Sequence, residues 1–257
     1  MDGCGTSVKV RRPHVYEAVA WKSPAPGASD TRKVELHGYA KLNSVGGPLC
    51  VANEYICSRI GDRLSIPVPP GAVIAADAGK KAWLTLSFTP TTLPPIDAAD
   101  VATRVPRLAA EVVVFDILIA NTDRHAGNLA FRSADRRLEV FDHGHALMGA
   151  GPAAGVSKFQ GFANALAIDG AAGNRHCLLD LLTSVPHVMA AVELVEANLT
   201  DAMIRRITEE AKLLRVGFSE AGPLADALIL RRSRIRDLIR KASHEFKGIP
   251  TAEWSSI

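Results

Sequence analysis

The chain has 257 residues, 47% hydrophobic and 22% charged, enough for one large domain or two lobes around a cleft. A formal charge of +3 does not by itself point to nucleic acid and is equally compatible with a cleft that attracts anionic phosphates. No stretch approaches the roughly 20 apolar residues needed to cross a bilayer, the first fifteen residues carry charges without an apolar core, and the four cysteines show no C-x-x-C spacing, so a soluble, cytoplasmic chain with reduced thiols is expected.

In chain order, residues 8–22 mix β-branched and aromatic residues with charges and suggest a short strand, and 23–31 (SPAPGASDT) form a loop. Residues 33–42 alternate loosely and suggest a strand, or a hairpin with Gly38 at its bend. Pro48 suits the first turn of a helix on which Ala52, Ile56 and Ile60 share a face. Cys50 and Cys57 lie about two turns apart on that helix, too far for a disulfide. Residues 65–77 lead into a further strand and 82–88 (AWLTLSF) form another, with Trp83 and Phe88 packing it. The TPTTLPP run that follows is the best linker in the sequence. It sets a boundary at about residue 89 between an N-terminal unit, 1–89, and a C-terminal unit, 90–257.

Residues 107–120 (RLAAEVVVFDILIA) are apolar on nearly every face, and their length favours a buried helix over a strand. NLAFR and LEVFD flank a polar turn and read as a β-hairpin. Residues 146–175, rich in Gly and Ala, suggest a mobile loop with short helical pieces. Amphipathic helices are expected at about 200–215 and 223–246. Arg231, Arg232, Arg234, Arg236, Arg240 and Lys241 make the last of these basic, and without interleaved aromatics a solvated helix face is the simpler reading than a nucleic-acid footprint.

The chemistry concentrates between Asn121 and His145. Asp123 and Asn128 are five positions apart, and Asn128 and Asp142 fourteen, so a buried helix, a polar loop and a hairpin would bring the three together. Phosphoryl transfer needs these residue types. One carboxylate orients the acceptor hydroxyl and can take its proton, while an amide oxygen and a second carboxylate offer a magnesium ion hard ligands.

The D-R-H-A-G-N loop followed by F-D-H-G-H-A-L resembles the catalytic core of the HipA-like kinases and of the phosphoinositide lipid kinases. The resemblance implies a two-lobed, α+β, protein-kinase-like fold with a small N-terminal sheet plus helix and a mainly helical C-terminal lobe. It implies ATP and Mg2+ as cofactors, Asp123 as catalytic base, Asn128 and Asp142 as metal ligands, and His125 where the lipid kinases place an assisting histidine. Lys41 in G-Y-A-K-L resembles the strand lysine that holds phosphates, and Glu54 resembles its helix partner. The backbone of Leu84 to Phe88 would lie near the adenine. A protein Ser/Thr acceptor is implied, a lipid or small-molecule acceptor stays open, and so does an antitoxin-like or regulatory protein partner.

The sequence departs from ordinary protein kinases in lacking a G-x-G-x-x-G before Lys41, in placing Arg124 and His125 after Asp123, and in having His143 where Phe is usual. A nucleotide-binding pseudokinase module is the alternative that the missing glycine loop favours. His125, His143 and His145 beside Asp142 also admit a metallohydrolase site.

Overall fold

The computed structural model describes residues 18–24, 32–86, 96–132, 136–170 and 175–255. The first two strands, β1 (Ala18–Pro24) and β2 (Arg32–Leu36), form an antiparallel ribbon. The chain breaks at His37, and β3 (Gly38–Leu42) joins a different sheet. The single strand or hairpin expected over 33–42 is therefore two strands in two sheets.

Helix α1 (Cys50–Arg63) follows, then β4 (Gly71–Ala75) and β5 (Lys81–Leu86). The sheet order is β3-β5-β4, all antiparallel. Register decides which residues share a face, because directly opposed residues point the same way. Lys41, Trp83 and Val73 are opposed, and so are Ala40, Leu84 and Ala72. The Trp83 ring meets Tyr55 of α1 edge-on at 6.2 Å between centroids, which puts the Lys41 face toward α1. Gly71 makes that placement possible: a Cβ there would lie 2.2 Å from the Trp83 ring.

The first turn of α1 has no side-chain cap of its own, and Asn43 supplies one from the end of β3, its Oδ1 accepting from Val51 N at 2.9 Å. The linker expected at 89–95 and the unit boundary at 89 lie outside the described residues, as does Phe88.

Helices α2 (Ala98–Arg104) and α3 (Pro106–Leu118) are separated at Val105, whose φ of −136° fits the bias against helical backbone before a proline. Helix α3 is the expected buried helix: every residue from Ala109 to Leu118 is buried. Strands β6 (Leu129–Arg132) and β7 (Arg137–Val140) make the expected hairpin. The chain continues through α4 (Val156–Gly161), α5 (Val185–Asn198), α6 (Asp201–Leu213), α7 (Ala221–Lys241) and α8 (Thr251–Trp254). Ser184 and Thr200 cap α5 and α6 through their hydroxyls.

Residues 146–170 are packed rather than loose. Ala146, Leu147, Met148, Val156, Phe159, Leu166 and Ile168 are buried, and Arg231 of α7 holds the end of this stretch. Its buried guanidinium donates to the carbonyls of Phe162, Ala165 and Leu166 and to those of Ile117 and Leu118 at the end of α3. Three more residues of the basic stretch on α7 are engaged within the fold, Arg232 with Asp201, Arg236 with Glu196 and Arg234 with Asn164, while Arg240 and Lys241 are exposed. Among the described residues no helix is long and apolar enough to cross a membrane.

Candidate active site

Lys41 sits near the end of β3, on the face turned to α1, and its Nζ lies 2.5 Å from Glu54 Oε1 and 2.8 Å from Asp142 Oδ1. Strand, helix and the turn after β7 thus converge on one ammonium group. Burial alone would lower the Lys41 pKa, but the two carboxylates outweigh it and raise it. Burial alone would likewise raise the Glu54 carboxyl. The adjacent His143 and the Lys41 ammonium reverse that and bring it down to about 2. His143 Nδ1 stands 3.7 Å from Glu54 Oε2, beyond hydrogen-bonding reach, so Lys41 is the direct side-chain partner. The His143 backbone N–H does donate to Glu54 Oε1, at 3.0 Å.

Asp142 has a φ of +60°, a left-handed conformation that aspartate tolerates better than most residues. This turn aims the carboxylate back at Lys41. Gly144 then passes so close to α1 that a Cβ would lie 2.8 Å from Cys50 Sγ. Asn53, next to Glu54 and fully buried, donates to the carbonyls of Gly144 at 2.8 Å and Gly149 at 3.3 Å. Helix α1 therefore grips the 142–149 turn with two successive side chains.

The loop before β6 supplies the other groups. Asn128 Nδ2 donates to the Asp123 carbonyl at 2.9 Å, which fixes the amide orientation, and its Oδ1 accepts no hydrogen bond among the described residues. Phe141 N donates to the Asn128 carbonyl at 3.2 Å, so the residue preceding Asp142 is tied to Asn128. Asn128 and Asp142 thus offer hard oxygen atoms from adjoining backbone, a donor set that suits magnesium. Beneath them Arg124, fully buried, donates through Nη1 to the carbonyls of Asn128 (2.8 Å) and Phe141 (2.6 Å).

The histidines do not gather. His125 is exposed, and its Nδ1 accepts from Gly127 N at 3.1 Å within its own loop. His143 is fully buried, edge-on to Phe115 at 5.6 Å. His145 Nδ1 stands 3.4 Å from Asp123 Oδ2, so His145 rather than His125 stands beside that carboxylate. Among the described residues no three His, Cys, Asp or Glu side chains form a metal-binding group.

Of the Leu84–Phe88 stretch expected near the adenine, Ser87 and Phe88 lie outside the described residues and Leu84 is described. Its backbone lies in the central strand, between Ala40 and Ala72, and its side chain occupies the face opposite Lys41. A Cβ at Gly38, which faces the same way, would meet Leu84 Cδ1 at 2.7 Å. The neighbouring residue on the Lys41 face is Thr85, opposite Tyr39. Strand alternation could have found Thr85 once β5 was fixed. Asn53 carries no signal in a single sequence, because its partners lie 91 and 96 positions further along the chain.

No protein-family model matches the chain, and no curated protein does. Among solved structures it is similar to the crystal structure of a Helicobacter pylori proinflammatory kinase, CtkA, with a TM-score of 0.58 and 18% sequence identity over 87% of this chain and 95% of that one. The chain has a protein-kinase-like fold: a small sheet with one helix against it, then a mainly helical remainder that carries the Asp142 hairpin.

Proposed function

We propose that the chain is an ATP- and magnesium-dependent phosphotransferase of HipA-like type that moves the γ-phosphoryl group to a hydroxyl, in the first instance a Ser or Thr side chain of a protein. The observation that carries the reading is the convergence of Lys41, Glu54 and Asp142 beside a loop in which Asn128 is tied to Asp123. The three free cysteines among the described residues are compatible with a reducing, cytoplasmic setting.

In this reading Lys41 holds phosphate oxygens while Glu54 fixes where its ammonium stands. Asn128 and Asp142 would hold magnesium, which supplies neutralisation of phosphate charge as transfer proceeds. Asp123 orients the acceptor hydroxyl and can take its proton, with His145 standing beside the carboxylate. Arg124 keeps the loop and the turn in register from below.

Asp123→Ala and Asp142→Ala should each abolish transfer from labelled ATP while circular dichroism stays that of the parent. Undiminished transfer by either purified variant would reject the assignment. A second reading, a nucleotide-binding module without turnover, is favoured by one contact. Lys41 lies 2.8 Å from Asp142 and so shares the carboxylate that a metal would use. Labelled ATP that is bound but never consumed, with or without magnesium and candidate protein, lipid or small-molecule acceptors, would select that reading.

A further inference from the structure

Through Asn121 and Arg124 the buried carboxylate of Asp116 is linked by hydrogen bonds to the backbone of Asp123, of Asn128 and of Phe141, the residue before Asp142, although it touches none of the site's side chains. Asn121 Nδ2 donates to Asp116 Oδ1 at 2.8 Å, and Asn121 Oδ1 accepts from Asp123 N at 3.2 Å. Arg124 Nε and Nη2 donate to the two Asp116 oxygens at 2.7 and 3.1 Å, and Arg124 Nη1 serves the carbonyls of Asn128 and Phe141. The fourth contact comes from beyond the 146–170 stretch: His176 Nε2 lies 3.1 Å from Asp116 Oδ2.

The tautomer of His176 follows from its other nitrogen. Nδ1 accepts from Leu178 N at 3.2 Å, so the proton sits on Nε2 and is donated to Asp116. Cys177 N donates to the Arg124 carbonyl at 3.0 Å, and His176 N to that of Ile168. Residues 176 and 177 therefore reach the network twice, once through a ring and once through the backbone.

A buried ion pair is weak evidence of stability, because desolvation offsets most of the attraction. What a fully satisfied buried network supplies is geometry. The planar fork of Arg124 faces a carboxylate on one side and two carbonyls on the other, which an ammonium could not reproduce.

We infer that Asp116, Arg124 and His176 are positioning residues that set the spacing between the Asp123–Asn128 loop and the Asp142 turn, and that His176 makes this spacing depend on how residues 175–178 are seated. The inference rests on the phosphotransferase reading for what the spacing serves, but the spacing itself can be tested without it.

The test compares His176→Ala and Arg124→Lys with Val192→Ala, a fully buried change on α5 that lowers stability while removing none of the network's hydrogen bonds. Amide hydrogen exchange is measured on each protein alone, and Mn2+ binding in the presence of ADP by electron paramagnetic resonance. His176→Ala should speed exchange at 121–128 and 141–143 and weaken Mn2+ binding roughly tenfold, the scale on which outer-shell partners tune metal affinity. Arg124→Lys should do more, and Val192→Ala should do neither. Unchanged exchange at these segments in a folded His176→Ala, or the same local change in Val192→Ala, overturns the inference. Altered exchange in a protein whose parent binds no Mn2+ with ADP would keep the positioning role and reject the phosphotransferase reading instead.

Discussion

Replacing Glu54 with glutamine separates charge from shape at the centre of the site. The amide oxygen can still accept from His143 N, so the tie to the 142–149 turn survives, but Lys41 loses its closest counter-charge. Stranding one partner of a buried ion pair costs about 3–5 kcal/mol. Lys41 is not stranded, since Asp142 Oδ1 remains at 2.8 Å and its own side chain is 28% exposed, so the loss should be nearer about 1–2 kcal/mol. The Lys41 ammonium should then favour Asp142, and ADP with magnesium should bind about tenfold more weakly, which corresponds to 1.4 kcal/mol. The pH dependence has a definite sign. The Glu54 carboxyl is depressed from its ordinary 4.5 to about 2, so it stabilises the fold above 4.5 and that contribution is lost as pH falls toward 2. Urea titrations of parent and Glu54→Gln at pH 7 and at steps down to pH 3, with calorimetric titration of ADP, read both effects. Equal midpoints at every pH and equal ADP affinity would refute the role given to this pair.

Gly144→Ala should cut any phosphotransfer activity severalfold, because its Cβ would press on Cys50 Sγ. Cys50→Ala in the same chain should restore part of the loss. Glu139, buried on β7, has its carboxyl pushed up to about 8 by burial, which Arg137 only partly offsets. Its contribution is complete below 4.5 and lost as pH rises through 8, so Glu139→Gln should flatten the fall in melting temperature across that window. Arg231→Met would leave buried carbonyls of two segments without their donor and should cost about 3 kcal/mol or more, read as a lower melting temperature with faster amide exchange over 159–168. Tyr55→Phe removes the 3.0 Å hydrogen bond to Glu210 and should cost about 0.5–1.5 kcal/mol in urea titration, with little change elsewhere.

What could be read from the chain is what the chain holds close together. Asp123, Asn128 and Asp142 sit within one loop and one hairpin, so spacing alone implies their meeting. Helix α3 was legible because an apolar run of that length has few other outcomes, and α6 because one of its faces is polar. Helix α5 was not read, since VPHVMAAVELVEAN is largely apolar and gives little contrast between faces. The 146–170 stretch misled for the opposite reason. Its Gly and Ala content suggests mobility, while the buried Phe159, Leu166 and Arg231 that hold it become visible only in three dimensions. Asp116 with His176 and Arg231 with Ile117 are pairs 60 and 114 positions apart, and no local pattern announces them. Which face of the sheet Leu84 occupies was not legible either, because it depends on register against β3.

Asn43 does more than cap a helix. The same amide that serves Val51 with its oxygen donates through Nδ2 to the Val216 carbonyl at 2.8 Å. Lys81 reaches the Leu214 carbonyl, and Tyr55 reaches Glu210. Three separate N-terminal parts of the chain, the exit of β3, the start of β5 and the middle of α1, are thus moored to one corner of the helical remainder, where α6 ends. Any movement of these three elements against α6 must swing about that mooring or break it, so loosening the turn around Leu214 and Val216 would ease such movement from well outside the Lys41 cluster.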